Sequence, residues 1–186
     1  EIDASSTKAC TQAWWFNFEK CVKLSKIDCT NQHGVKTGTS SSTEFDVSNQ
    51  AKLTTLRLGG TKVQSVEIAE GAPLTECVLP DSLSVLKLSY LPLLQMSGLT
   101  VQSYANVETF IFTNCPGLDW QALLNRCSNV KRIRIEGINM EDDGTFLAKY
   151  KDYKGVDADG NAVSTCQLVG DIYLTSYIDD ARYEEY

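Results

Sequence analysis

The sequence predicts an α/β solenoid, mostly β, with parallel strands on both sides of each coil and helices toward the C-terminal end. Three observations predict it. An apolar triplet φ-x-x-φ-x-φ recurs as Leu24/Ile27/Cys29, Leu53/Leu56/Leu58, Val63/Val66/Ile68, Leu74/Cys77/Leu79, Leu83/Leu86/Leu88, Val107/Phe110/Phe112 and Val130/Ile133/Ile135. The last two apolar residues of each triplet flank one polar or exposed residue, the period of a strand with one buried face. The copies also fall into two interleaved ladders. "FDV", "VEI", "LKL", "FIF" and "IRI", counted from Phe45, follow one another at steps of 21, 20, 24 and 23 residues; triplets starting at Leu24, Leu53 and Leu74 follow at 29 and 21, and Leu94 continues that ladder after 20. One such coil cannot bury its own apolar face, but stacked coils share a continuous core, to which each buried Leu, Ile or Val contributes roughly 1.5–3 kcal/mol.

The elements follow in chain order. Residues 1–22 read as an aromatic cap and the start of the first coil, with Trp14, Trp15, Phe16 and Phe18 as a lid on the open end of the core. Residues 23–140 read as the solenoid proper. Within it, "TNQHGVKTGTSSST" (30–43) breaks the phase and reads as a polar loop insertion holding the only histidine, His33. That loop is either a ligand contact or a tolerated insertion. "KLTTLRLGGTKVQSVEI" reads as two sides of one coil, residues 53–58 turning at Gly59 and Gly60 into residues 63–68. This register makes Leu56→Asp unfold the domain and Arg57→Asp leave it folded.

After Cys115 the pattern changes. "GLDWQALLNRC" places Asp119 as an N-cap before Trp120, Leu123, Leu124 and Cys127 at helical spacing, so a helix replaces a strand. Residues 141–186 read as a C-terminal cap: a helix in "DDGTFLAKYKDYKG", a turn in "VDADGNAV", a strand "CQLVGDIYL" ending at Leu174, and an acidic tail leading to a further domain.

The repeat phrasing resembles the irregular bacterial leucine-rich repeats, whose unit reads roughly L-T-S-L-D-V-S-x-N-x-x-L-x-x-L-x-C. "FDVSNQAKLTTLRLGGTKVQSVEI" follows it closely, "LTECVLPDSLSVLKL" resembles the L-P-x-S-L variant, and "VETFIFTNCPGL" carries the Asn/Cys position. The resemblance covers residues 16–140 and implies an irregular leucine-rich repeat of about 20–24 residues per coil. The order of segments, ending in "GVDADGNAVS…LVGDIYL", also looks like that of large structural proteins of gut phages.

Composition bounds the function. With 186 residues, 42% of them hydrophobic, the chain suffices for one domain with a sizeable core. No run of about 18 apolar residues is present, so no membrane-spanning segment is expected. A start at Glu1 without a signal peptide, and an abrupt end at "ARYEEY", predict a piece of a longer protein. The net charge of −7 argues against a phosphate-backbone partner, so no nucleic acid is expected. The seven cysteines contain no C-x-x-C pair; they read as packed, reduced thiols, with a Cys10–Cys21 disulfide as the alternative.

No catalytic or cofactor motif is found. One histidine in a polar segment supports no Ser–His–Asp or Cys–His site, and neither G-x-x-x-x-G-K-[ST] nor G-x-G-x-x-G occurs. "DADGN" fails the EF-hand spacing, because Gly160 is fourth and the twelfth residue is Leu168. No cofactor and no metal are therefore expected. The candidate binding surface is the set of outward residues on the strands, Arg57, Glu67, Lys87, Ile111 and Arg134, with Lys131 and Arg132 beside them. Three readings follow: a binding module of a bacterial surface protein that contacts protein or surface glycan, a structural or spacer domain of a phage virion, and, least favoured, a hydrolase. The first is extracellular or at the cell surface, the second in the virion.

Overall fold

The computed structural model describes residues 1–18, 20–37, 43–136 and 174–175. Their strands are β1 (Ile2–Asp3), β2 (Cys10–Phe16), β3 (Lys26–Asp28), β4 (Gln32–Thr37), β5 (Glu44–Val47), β6 (Thr55–Arg57), β7 (Ser65–Ile68), β8 (Glu76–Leu79), β9 (Val85–Ser89), β10 (Leu99–Val101), β11 (Thr109–Thr113), β12 (Arg132–Glu136) and β13 (Leu174–Thr175). The one α-helix among the described residues is α1 (Trp120–Leu124). The chain is mostly β, a solenoid of about six turns with parallel strands stacked on two sides.

One side is a five-stranded parallel sheet in the order β1-β3-β6-β8-β10. Its register aligns Ile2, Ile27, Leu56, Cys77 and Leu99 as one inward row. The other side carries β2-β4, then β5-β7, then β9-β11-β12-β13, all paired in parallel. A repeated hydrogen bond joins its coils. The Thr43 carbonyl accepts from Gln64 N at 2.8 Å, Gln64 O from Ser84 N at 2.9 Å, Ser84 O from Glu108 N at 2.8 Å, and Glu108 O from Lys131 N at 2.7 Å. Each carbonyl also lies within 3.5 Å of the N–H one residue further on. The step of about 20–24 residues in the sequence is the length of chain between these bonds.

The core lies between the two sides. Phe45, Val66, Leu86, Phe110 and Ile133 are buried on one side and Ile27, Leu56 and Cys77 on the other, with Leu24, Leu53, Leu74 and Leu94 buried at the corners. Corners close by turns in which an N–H reaches the carbonyl three residues back, as in Gln32 to Cys29, Thr61 to Leu58 and Ala72 to Ala69. The turn at Gly59 and Gly60 requires glycine at its second position. Gly60 has φ +70, and a Cβ there would collide with the Asn31 side chain of the coil before.

The structure departs from the sequence expectation at three places. Residues 30–43 are not a loop throughout, since Gln32–Thr37 forms β4 and pairs with β2; residues 38–42 lie outside the described set. The segment gives little apolar signal because side-chain amides and hydroxyls anchor it. Gln32 Nε2 donates to the Ala4 carbonyl at 2.5 Å, and Thr37 Oγ1 accepts from Asp46 N at 2.7 Å, bridging β4 to β5. In "LLQMSGL", a 3-10 turn at Met96–Gly98 delays β10, so Leu99 rather than the third residue after Leu94 aligns with Cys77. At the N-terminal end, Trp14 and Trp15 are 45% and 52% exposed. The buried aromatic there is Phe18, stacked on Phe16 at 5.5 Å and tilted against Phe45 at 5.8 Å.

α1 stands where the first sheet's next strand would be, and the Asp119 carboxylate caps it by accepting from Ala122 N at 2.9 Å. The expected cap at 141–186, with its helix, turn and tail, lies outside the described residues apart from β13, which pairs Leu174 with Ile135. Six cysteines are described, and Cys10 and Cys21 are both thiols, so the Cys10–Cys21 disulfide is not formed.

Candidate functional site

Because strand residues alternate, each sheet turns one row of side chains to the core and the next outward. On the first sheet the outward row is Asp3, Asp28, Arg57, Val78 and Thr100, aligned by strand register. Arg57 is the centre of an ion cluster. Its Nε meets Glu76 Oε1 at 2.7 Å, its Nη2 meets Glu76 Oε2 at 3.0 Å, and its Nη1 meets Asp28 Oδ2 at 3.3 Å. Glu76, then Asp28, push the guanidinium pKa further up. The buried Asp28 also accepts from Thr30 N at 3.1 Å and Thr30 Oγ1 at 2.7 Å.

That last arrangement is repeated. Asp3 accepts from Ser5 N and Oγ at 3.0 and 2.7 Å, and Asp46 from Ser48 N at 2.9 Å. The bonds to Ser5 hold the Asp3 carboxyl below its ordinary pKa. An Asp-x-Ser/Thr at the end of a strand thus closes the corner by a side-chain turn. Lys26 lies beside this row and meets Glu1 at 2.8 Å, which raises the ammonium pKa.

The second side carries two outward rows. Asp46 aligns with Glu67, and Lys87, Ile111 and Arg134 align with one another; beside them, Glu44 aligns with Ser65, and Val85, Thr109 and Arg132 align in turn. Lys87 Nζ reaches back one coil to Glu67 Oε2 at 2.5 Å. Lys131, just before β12, reaches Glu108 at 2.7 Å. Ile111 is half-buried between Lys87 and Arg134 rather than fully exposed.

Five candidate surface residues, Glu67, Lys87, Ile111, Arg132 and Arg134, therefore share one face, and Lys131 lies at its rim. Arg57 is separated from them by the core and belongs to the first sheet. Sequence reasoning missed the carboxylate partners Asp28, Glu76 and Glu108. A signal existed for the Glu67–Lys87 pair, since 20 residues is one step of that ladder.

Burial sets the chemistry of the core thiols. It pushes Cys29, Cys77 and Cys127 up to about 12 and Cys115 up to about 11, so they are protonated and unreactive near neutral pH. Cys21 is exposed and lines an open groove of about 400 Å³ with Glu1, Lys20, Val22, Lys23 and Leu24. His33 is half-buried in β4. Among the described residues no group of three or more His, Cys, Asp and Glu is placed to hold a metal ion, and no helix is long and apolar enough to cross a membrane. Asp157, Asp159 and Asn161 lie outside the described residues. No family model, curated protein or solved structure matches the chain.

Proposed function

We propose that this chain is a non-enzymatic binding module of the irregular leucine-rich-repeat type, part of a larger bacterial surface or phage virion protein, that contacts protein or surface glycan through the face of β5, β7, β9, β11 and β12. The observation that carries this reading is the composition of that face. Half-buried Val85 and Ile111 lie among acidic residues on one flank and Arg132 and Arg134 on the other, a pairing of apolar anchors and arginines typical of contact surfaces. It requires no cofactor. The test is retention of labelled protein on intact bacterial cells. Wild type should bind, and a variant carrying Ile111→Glu and Arg132→Glu should lose most of the signal while melting at a similar temperature. Equal retention of both proteins would count against this face.

A second reading, a spacer domain in a virion, is favoured by one observation. Glu67–Lys87, Glu76–Arg57 and Glu108–Lys131 each join successive coils, so much of the surface charge is used within the molecule. A spacer predicts that face variants leave cell retention unchanged.

A further inference from the structure

We infer that the face of β5, β7, β9, β11 and β12 binds a second copy of this chain, turned end for end. The inference rests on the binding reading above and names the partner. The face is polarised along the solenoid. Glu44, Asp46 and Glu67 lie on β5 and β7; Lys87, Arg132 and Arg134 lie on β9 and β12, the latter ending at Glu136; the uncharged Val85 lies on β9, and Thr109 and Ile111 on β11. Such a face is complementary to itself under a two-fold rotation, the commonest symmetry of protein dimers.

The strand register specifies where the axis passes. An axis running along the strands between β9 and β11 sets β9 over β11 of the second copy and β7 over its β12. At equal heights along the strands, Glu67 then faces Arg134 of the second copy, Ser65 faces Arg132, Val85 faces Thr109, and the aliphatic stem of Lys87 covers Ile111. Each contact occurs twice. A two-fold axis running along the solenoid instead would set each strand over itself, acid on acid and base on base.

Residues 1–136 hold thirteen Lys and Arg and thirteen Asp and Glu, so the whole excess of −7 lies in residues 137–186. Five short strands make a small face, in the class of interfaces that bury less than about 1,200 Å² and associate weakly. Attraction across it falls with salt, because the screening length shrinks from about 30 Å at 0.01 M to about 3 Å at 1 M.

Sedimentation equilibrium at high protein concentration tests this. Wild type should dimerise in low salt and dissociate in high salt. Glu67→Arg sets like charges against Arg134 of the second copy, and Arg134→Glu sets them against Glu67; each alone should weaken dimerisation about tenfold or more, equivalent to about 1.4 kcal/mol. An equimolar mixture of the two single variants restores both contacts, so heterodimers should form where neither variant dimerises alone. Thermal melts verify that each variant is folded, and Val85→Arg, at the apolar centre, gives an independent disruption. A wild type that stays monomeric in low salt, or a dimer that survives both single variants, overturns the inference. If that monomer still binds cells through this face, the binding reading stands and the partner is a different molecule.

Discussion

Arg57 of β6 grips Glu76 of β8 through two parallel hydrogen bonds, at 2.7 and 3.0 Å, and turns its remaining nitrogen to Asp28 of β3. One side chain thus ties three successive coils. The fork of the guanidinium suits this, as the point charge of a lysine would not.

Replacing Arg57 tests how much that tie contributes. Arg57 and Glu76 are both partly exposed, so Arg57→Ala should cost only about 1 kcal/mol. Arg57→Asp should cost more than Arg57→Ala, because it sets a third carboxylate beside Asp28 and Glu76. That revises the expectation of an intact fold to a folded but weakened one. Leu56→Asp, one residue back and fully buried, should unfold the domain. Urea denaturation of the three variants gives the order; equal midpoints for Leu56→Asp and Arg57→Asp would contradict the register.

Two glycines separate backbone strain from collision. Gly60 and Gly71 have similar positive φ, +70 and +74, but only at Gly60 does a Cβ meet another coil. Gly71→Ala should cost about 1 kcal/mol, the left-handed penalty alone. Gly60→Ala should cost clearly more, since the Asn31 side chain, which donates to the Ser6 carbonyl at 2.7 Å, must also move. Equal losses in thermal stability would mean that the coils are not packed at this corner.

The buried thiols give the fold an alkaline limit. Their folded pKa values, about 11 to 12, lie above the ordinary value of 9.0, so unfolding releases protons at high pH. Their contribution is intact below pH 9 and is lost as pH rises from there toward 12. Melting temperature should therefore fall above pH 9, and a Cys77→Ala, Cys127→Ala variant, though less stable at pH 7, should lose less on going to pH 10.5. At pH 8 an aromatic disulfide reagent should label Cys21 of the native protein quickly, and Cys29, Cys77, Cys115 and Cys127 only after denaturation.

The inward rows were legible because burial leaves a periodic apolar record. Phe45, Val66, Leu86, Phe110 and Ile133 can be listed in order from spacing alone, and all five are buried. Asp119 announced α1 by the same logic of local preference. The strand β4 left no such record, since Val35 is its one apolar core residue and the rest of its anchoring is polar. The outward face was legible as rows, and two of its pairs follow the ladder: Glu67–Lys87 and Glu108–Lys131 lie 20 and 23 residues apart, each one step. Arg57–Glu76, at 19, was not legible, because it is a diagonal contact two residues short of the Arg57–Val78 register.

Cross-linking between coils tests the stacked parallel solenoid most directly. Val85, Thr109 and Arg132 are successive outward neighbours in register, and strands about 4.8 Å apart bring directly opposed residues within disulfide reach. The pairs Val85→Cys/Thr109→Cys and Thr109→Cys/Arg132→Cys should each oxidise to an intramolecular disulfide, read as a reducible shift on a denaturing gel. The pair Val85→Cys/Arg132→Cys, separated by an intervening strand, should not. Failure of both adjacent pairs, or a cross-link in the skipped pair, would contradict the fold.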